Sequence, residues 1–214
     1  MIRIAPDDGS GSSTLVVDDA IFRFVPDFIA KLDWARKTYN ARAETIATKP
    51  TYRQAWAKSQ RCIIPADWIY EFNHETGKPV RWNIHLAGGV PMGIAGIFNT
   101  VTHPDGREMF TMSMVTVNAD DHPVMSRFHA PGDEKRMVVI LDPSDYSNYL
   151  SCPVDQASSY FKQWMGPMEA HAAPLPPRVA KPKPPPVPKP LKEAIKKAPR
   201  PPKPPEGPVT GDLF

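Results

Sequence analysis

Arg61-Cys62-Ile63-Ile64-Pro65-Ala66-Asp67-Trp68-Ile69-Tyr70-Glu71-Phe72 decides the fold class. Its β-branched and aromatic residues favour extended backbone, which predicts a strand beginning at Arg61 and reaching Phe72. Glu75-Thr76-Gly77-Lys78 follows as a turn, and Val80-Arg81-Trp82-Asn83-Ile84-His85-Leu86 then alternates with the period of a half-buried strand. Upstream, Pro50 to Gln60 reads as a short helix, with Pro50 in its first turn and Tyr52, Ala55 and Trp56 on one face. Downstream, Met92 to Phe98 reads as a buried strand and Pro104-Asp105-Gly106 as a turn. Phe110 to Met114 alternates again, and Met137 to Leu141 is a last core strand. Two short helices are expected after it, one starting at Asp142-Pro143, the other carrying Tyr160, Phe161 and Trp164. Hairpin-linked strands with occasional helices give an α+β, strand-rich domain.

Charge and proline divide the 214-residue chain in two. Its net charge is +3, with 26 Lys+Arg against 23 Asp+Glu, and 27 residues are proline. Sixteen of those prolines follow Gly166, and the segment from His171 to Phe214 carries a local charge of +6, leaving −3 for residues 1–170. Proline has a fixed φ and no N–H, so the run from Pro182 to Pro190 predicts polyproline II or disorder. The expected domains are therefore a folded body, 1–166, and a disordered tail, 167–214. Within the body, residues 31–61 are enriched in Lys and Arg and could form a phosphate-facing surface or the solvated faces of a helix and loops. Two cysteines, Cys62 and Cys152, cannot build a disulfide framework, so a reducing cytoplasm is expected. No apolar run is long enough for a spanning helix, and no partnership with a membrane is expected.

Chemistry is not announced by any glycine phosphate loop, zinc-ligand spacing or nucleophile elbow, and neither a cofactor nor a metal is expected. Glu71 stands inside the apolar stretch Trp68 to Phe72. Buried there it would be a candidate acid or base; facing outward it would be an ordinary surface carboxylate. His129 lies in the loop Met125 to Gly132, where a histidine is either solvent-exposed or catalytic. Cys62 at a strand start reads as a small buried hydrophobe, with a Cys62–His129 hydrolase as the minor alternative.

Taken together, Asn40-Ala41-Arg42-Ala43-Glu44-Thr45, Arg61 to Asp67 leading to Tyr70-Glu71-Phe72, Ala95-Gly96-Ile97-Phe98, Val115 to Asp120, Arg127-Phe128-His129 and Arg136 to Leu141 resemble the SRAP family of abasic-site processing proteins. The resemblance runs from about Leu15 to about Trp164. It implies a mixed, barrel-like sheet with short helices, and a peptidase that also crosslinks to, and acts as a lyase at, abasic sites in single-stranded DNA during the damage response. In that family an N-terminal cysteine supplies an α-amine and a thiol that close on the sugar aldehyde as a thiazolidine. By resemblance, Asn40 orients the nucleophile or the sugar, Glu71 moves protons, and His129 acts on the sugar hydroxyl. Arg42 and Arg136 correspond to phosphate contacts, with Trp68 and Thr116 also on the DNA-binding side.

The chain begins Met1-Ile2, so the nucleophile of that chemistry is not present, and an upstream start supplying it is the expectation. A non-crosslinking single-strand DNA sensor that stacks bases on Phe22, Phe24 and Trp68 is the alternative. The final Asp212-Leu213-Phe214 resembles the end of peptides that bind the bacterial sliding clamp. A nucleoid-associated monomer is expected.

Overall fold

Period-2 patterning dominates the chain, and strands dominate the computed structural model, which describes residues 1–6, 14–28, 37–103 and 105–176. These residues fall within one compact unit, Met1–Pro176. In chain order the elements are β1 (Ile2–Ile4), β2 (Leu15–Val17), β3 (Ala20–Phe22), β4 (Asn40–Arg42) and α1 (Arg53–Ala57). Then come β5 (Arg61–Ala66), β6 (Ile69–Asn73), β7 (Val80–Leu86), β8 (Met92–Thr102) and β9 (Glu108–Asn118). The series closes with β10 (Arg136–Val138), β11 (Ile140–Leu141), α2 (Tyr146–Ser151), α3 (Val154–Ala157) and β12 (Met168–Ala172).

A nine-stranded mixed sheet curls into a half-barrel around the long β8–β9 hairpin. On one side β8 pairs with β5, which leads to β1 and β2. On the other, β3 and β4 run parallel to successive parts of β9, so that Asn40 lies opposite Met114 and Arg42 opposite Thr116. Beyond the Gly96–Met114 pair the hairpin strands part, and the segment Arg136–Leu141 fills the gap. Its β10 half pairs with β9 and its β11 half with β8. Val139 bridges the two, its N–H donating to Val115 and its carbonyl accepting from Ala95. Splaying leaves two rows of backbone groups unpaired, and one inserted strand satisfies both.

Both faces of this sheet are buried. Residues such as Ile63, Ala95, Ile97, Val115 and Val139 pack with Phe24, Tyr52, Trp56 and Tyr149 in the larger core. The alternate residues Cys62, Ile64, Ile94 and Val138 pack with Met1, Leu86 and Met92 in a smaller one. A second, three-stranded antiparallel sheet, ordered β12-β7-β6, stands against the concave face. His122 is buried at a junction, accepting at Nδ1 from the Val124 and Met125 N–H groups and donating from Nε2 to the Trp164 carbonyl.

Several expectations are corrected. Arg61–Phe72 is not one strand: β5 stays paired through Pro65 and Ala66, and the chain then bends at Asp67-Trp68 and crosses from the large sheet to the small one. The helix expected over Pro50–Gln60 is confined to five residues, Arg53–Ala57, and is followed by Ser59 at positive φ. Tyr160 ends a 3₁₀ turn after α3, and Phe161 and Trp164 lie beyond it. The folded body does not stop at residue 166, because Met168–Ala172 pairs with β7 over five register positions. Prolines on both flanks and small alanines disguise that strand. The tail from Pro177, with the Pro182–Pro190 run and Asp212, Leu213 and Phe214, lies outside the described residues. Among the described residues no helix is long and apolar enough to cross a membrane.

Candidate active site

A groove of about 620 Å³ opens between the edge of β6 and the concave face of the large sheet. Its floor is a matter of register: Ile64, Ile94, Met114 and Thr116 point into it from β5, β8 and β9. Asn40, Trp68, Glu71, Thr116, His129 and Arg136 all line it, and Arg42 stands in an adjoining recess that shares Asn40, Thr116, His129 and Arg136. Side chains separated by almost the whole domain in sequence therefore meet in one place.

Glu71 alternates with outward-facing Tyr70 and Phe72 on β6, and its register partner on β7 is Trp82. The carboxyl therefore turns inward, and burial pushes its pKa up to about 7, with a backbone hydrogen bond opposing the rise. His129 faces it, Nε2 to Oε2 3.8 Å. Burial and the neighbouring Lys135 ammonium hold the His129 imidazole below its ordinary value. Near neutral pH the imidazole is neutral and the carboxyl partly protonated, so the two form no strong ion pair, and 3.8 Å is longer than a hydrogen bond.

The loop that carries His129 is clamped to the β6–β7 hairpin. Phe128 is fully buried and bridges to Asn73, whose side-chain amide donates to the Arg127 carbonyl, while Arg127 pairs with Glu75. The His129 N–H donates to the Phe72 carbonyl at 2.9 Å. This clamp holds His129 at φ +68°, a left-handed conformation costly for a residue with a Cβ. Its Nδ1 is buried without a partner among the described residues.

Arg136, a phosphate contact by resemblance, is engaged by groups of the protein itself. Its guanidinium is held by Glu44 at 2.9 and 3.0 Å, by Glu134 at 2.6 Å, and by the Thr116 carbonyl at 2.7 Å. Burial alone would raise the Glu44 carboxyl, but these hydrogen bonds bring it below the usual carboxylate range. Arg42 also reaches Glu134, at 2.7 Å, but from an exposed position that leaves it accessible. The basic stretch 31–61 does not form one surface among the described residues. Arg61 is buried and donates to the Leu150 and Cys152 carbonyls, and Lys58 pairs with Asp27.

What the sequence underplays is the aromatic wall. Phe22, Tyr39, Trp68, Tyr70 and Phe72 are each 44–49 % exposed, and all five line the groove. Outward aromatics at Tyr70 and Phe72 were a legible signal, being one alternation out of phase with inward Glu71. Phe24 is not among them: it is 1 % exposed and packs edge-on against Tyr52 in the core. Cys62 is likewise core, and burial pushes its thiol up to about 12, which removes it as a nucleophile.

The profile of the family described as SOS response associated peptidase (SRAP) matches residues 4–182. Abasic site processing protein YoqW of Bacillus subtilis is 31% identical over 137 residues, 63% of this chain and 56% of YoqW. Abasic site processing protein HMCES of Gallus gallus is 28% identical over 153 residues, 61% of this chain and 44% of HMCES. The matched part is thus about half the length of these relatives. A crystal structure of a Bordetella bronchiseptica protein, 35% identical, superposes with a TM-score of 0.70 over 81% of this chain and 83% of that one. A Bacteroides thetaiotaomicron protein, 23% identical, shares the fold at a TM-score of 0.56. Matched by the profile over most of its length, the chain belongs to the SRAP family.

Proposed function

We propose that the groove binds single-stranded DNA and processes an abasic site held between Asn40, Glu71 and His129. The observation that carries this reading is the Glu71–His129 pair, 3.8 Å apart, in a groove also lined by the exposed aromatic residues Phe22, Tyr39 and Trp68, with Tyr70 and Phe72 at its rim on the other face of β6. Flat, partly exposed rings offer stacking surfaces to bases without selecting sequence. A baseless sugar beside them leaves room for side chains to reach its C1 carbon. Ring opening needs a proton removed from the sugar hydroxyl, for which neutral His129 is suited. Addition of an amine to the resulting aldehyde and loss of water need a proton delivered to the departing oxygen. Glu71, protonated up to about pH 7, can deliver it. Names given to relatives, YoqW and HMCES among them, support the same substrate.

Thiazolidine formation requires an amine and a thiol on one residue, and Cys62 and Cys152 are both internal. Peptidase action, by the family resemblance, would use the same Glu71. A chain carrying an N-terminal cysteine would add a heat-stable crosslink to binding. A sensor that binds without crosslinking is the second reading, favoured by the aromatic wall alone.

Fluorescence anisotropy with labelled single strands, with and without an abasic site, tests the proposal. The abasic strand should bind more tightly than duplex DNA of the same sequence. Trp68→Ala should weaken binding about tenfold, the usual worth of one stacked base. Equal affinity for duplex, or no effect of Trp68→Ala, would overturn the reading.

A further inference from the structure

A second cluster of chemically active side chains lies on the small sheet, formed by β7 and β12. Glu169 is the register partner of His85, and His171 of Asn83, so all four side chains project from the same face. The carboxylate Oε2 of Glu169 lies 3.5 Å from His171 Nε2 and 3.9 Å from His85 Nε2. All three donor atoms fall within 4.8 Å of one another. The two imidazole rings lie nearly parallel, 5.5 Å between centroids.

We propose that His85 Nε2, Glu169 Oε2 and His171 Nε2 form a binding site for a late first-row divalent ion, Zn²⁺ being the probe of choice. Tetrahedral coordination with donors about 2.0–2.2 Å from the ion places the donors about 3.3–3.5 Å apart, near the 3.5 and 3.9 Å that separate Glu169 from the two histidines. His85 is arranged as a ligand. Its Nδ1 lies 3.0 Å from the Leu86 carbonyl, so Nδ1 carries the proton and the Nε2 lone pair faces Glu169. The His85 Nε2 lone pair and the Glu169 carboxylate repel one another unless a proton or a metal ion lies between them.

The surroundings suit a metal with an open position. Asp67 and Asn83 line the same recess, and Asn83 Oδ1 is buried with no partner among the described residues. Trp68 lines both this recess and the groove described above. Two nitrogens and one oxygen from the protein favour Zn²⁺, Ni²⁺ or Cu²⁺ over Mg²⁺ or Ca²⁺, which prefer all-oxygen sites. Bound there, the ion would tie β12 to β7 and stabilise the native state by mass action. Sequence spacing concealed the site because its ligands come from strands far apart in the chain.

Calorimetric titration of Zn²⁺ into the full chain tests it, with the melting temperature followed in parallel. One equivalent should bind with a Kd of about 10 µM or tighter, and saturation should raise Tm by about 5 °C. His171→Ala, at a largely exposed position, and Glu169→Gln, which keeps the side-chain shape, should each weaken binding at least about tenfold. His103→Ala and Cys152→Ser, outside the cluster, should leave it unchanged. Co²⁺ should give visible absorption bands that disappear with His171→Ala. Absence of stoichiometric binding, or equal binding by His171→Ala and His103→Ala, would overturn the proposal and leave a shared proton between His85 and Glu169.

Discussion

Glu71 and His129 show how one contact between two residues can be tuned mostly by burial. The Glu71 carboxyl is raised from 4.5 to about 7, so the stability it contributes is fully present below about pH 4.5 and lost as pH rises toward 7. The His129 imidazole is lowered below 6.5, so its contribution is present above the ordinary histidine range and lost as pH falls. The two slopes oppose each other just below pH 6.5, which flattens the wild-type curve there. Glu71→Gln removes one of them. The variant should match wild type near pH 4.5, gain on it by about 3 kcal/mol by pH 7, and hold that margin above. Urea unfolding at a series of pH values measures this; a pH-independent difference would contradict it. His129→Asn should be as stable as wild type or up to about 1 kcal/mol more so, because asparagine tolerates positive φ, yet lose proton transfer at the lesion.

At the scale of elements, the β8–β9 split and the segment inserted into it place the polar cluster around Arg136 at the groove. Arg136 enters beside Thr116 because β10 must pair with the end of β9, and its guanidinium then gathers Glu44 and Glu134. Arg136→Ala would leave those two carboxylates facing each other and take one of two donors from the Thr116 carbonyl, which keeps the Ala43 N–H. Tm should fall by several degrees, and DNA affinity should fall with it. Arg42→Ala, at the exposed end of the same network, should reduce affinity while leaving Tm nearly unchanged. A larger Tm loss for Arg42→Ala than for Arg136→Ala would reverse these assignments. The alternation of Val80–Leu86 revealed β7 directly, since side-chain period is a local property. Insertion of Arg136–Leu141 between two strands is nonlocal pairing, and nothing in Met-Val-Val-Ile-Leu says which partner each residue takes. Resemblance could bring Asn40, Glu71 and His129 to one site, but not the engagement of Arg136, which depends on carboxylates from two other segments.

For the whole molecule, charge is distributed against the expectation that a DNA-binding protein is uniformly basic. Residues 1–170 sum to −3, and the two arginines nearest the groove both contact Glu134. On the proposed DNA-binding reading, stacking and shape supply much of the affinity within Met1–Pro176, whereas the +6 of residues 171–214 would add attraction to phosphate without regard to lesion or strandedness. These contributions separate in salt. Each phosphate neutralised adds about −0.7 to the slope of log affinity against log salt for a single strand. A chain ending at Pro176 should therefore show a shallower slope than the full chain, by up to about 4 if all six net charges engage. Its preference for an abasic single strand over duplex should survive, because Asn40, Trp68, Glu71 and His129 all lie in the retained part. Anisotropy titrations of both chains at several salt concentrations give slope and preference together. An unchanged slope would place the phosphate contacts in the body, and loss of the preference with the tail would move lesion recognition out of the groove.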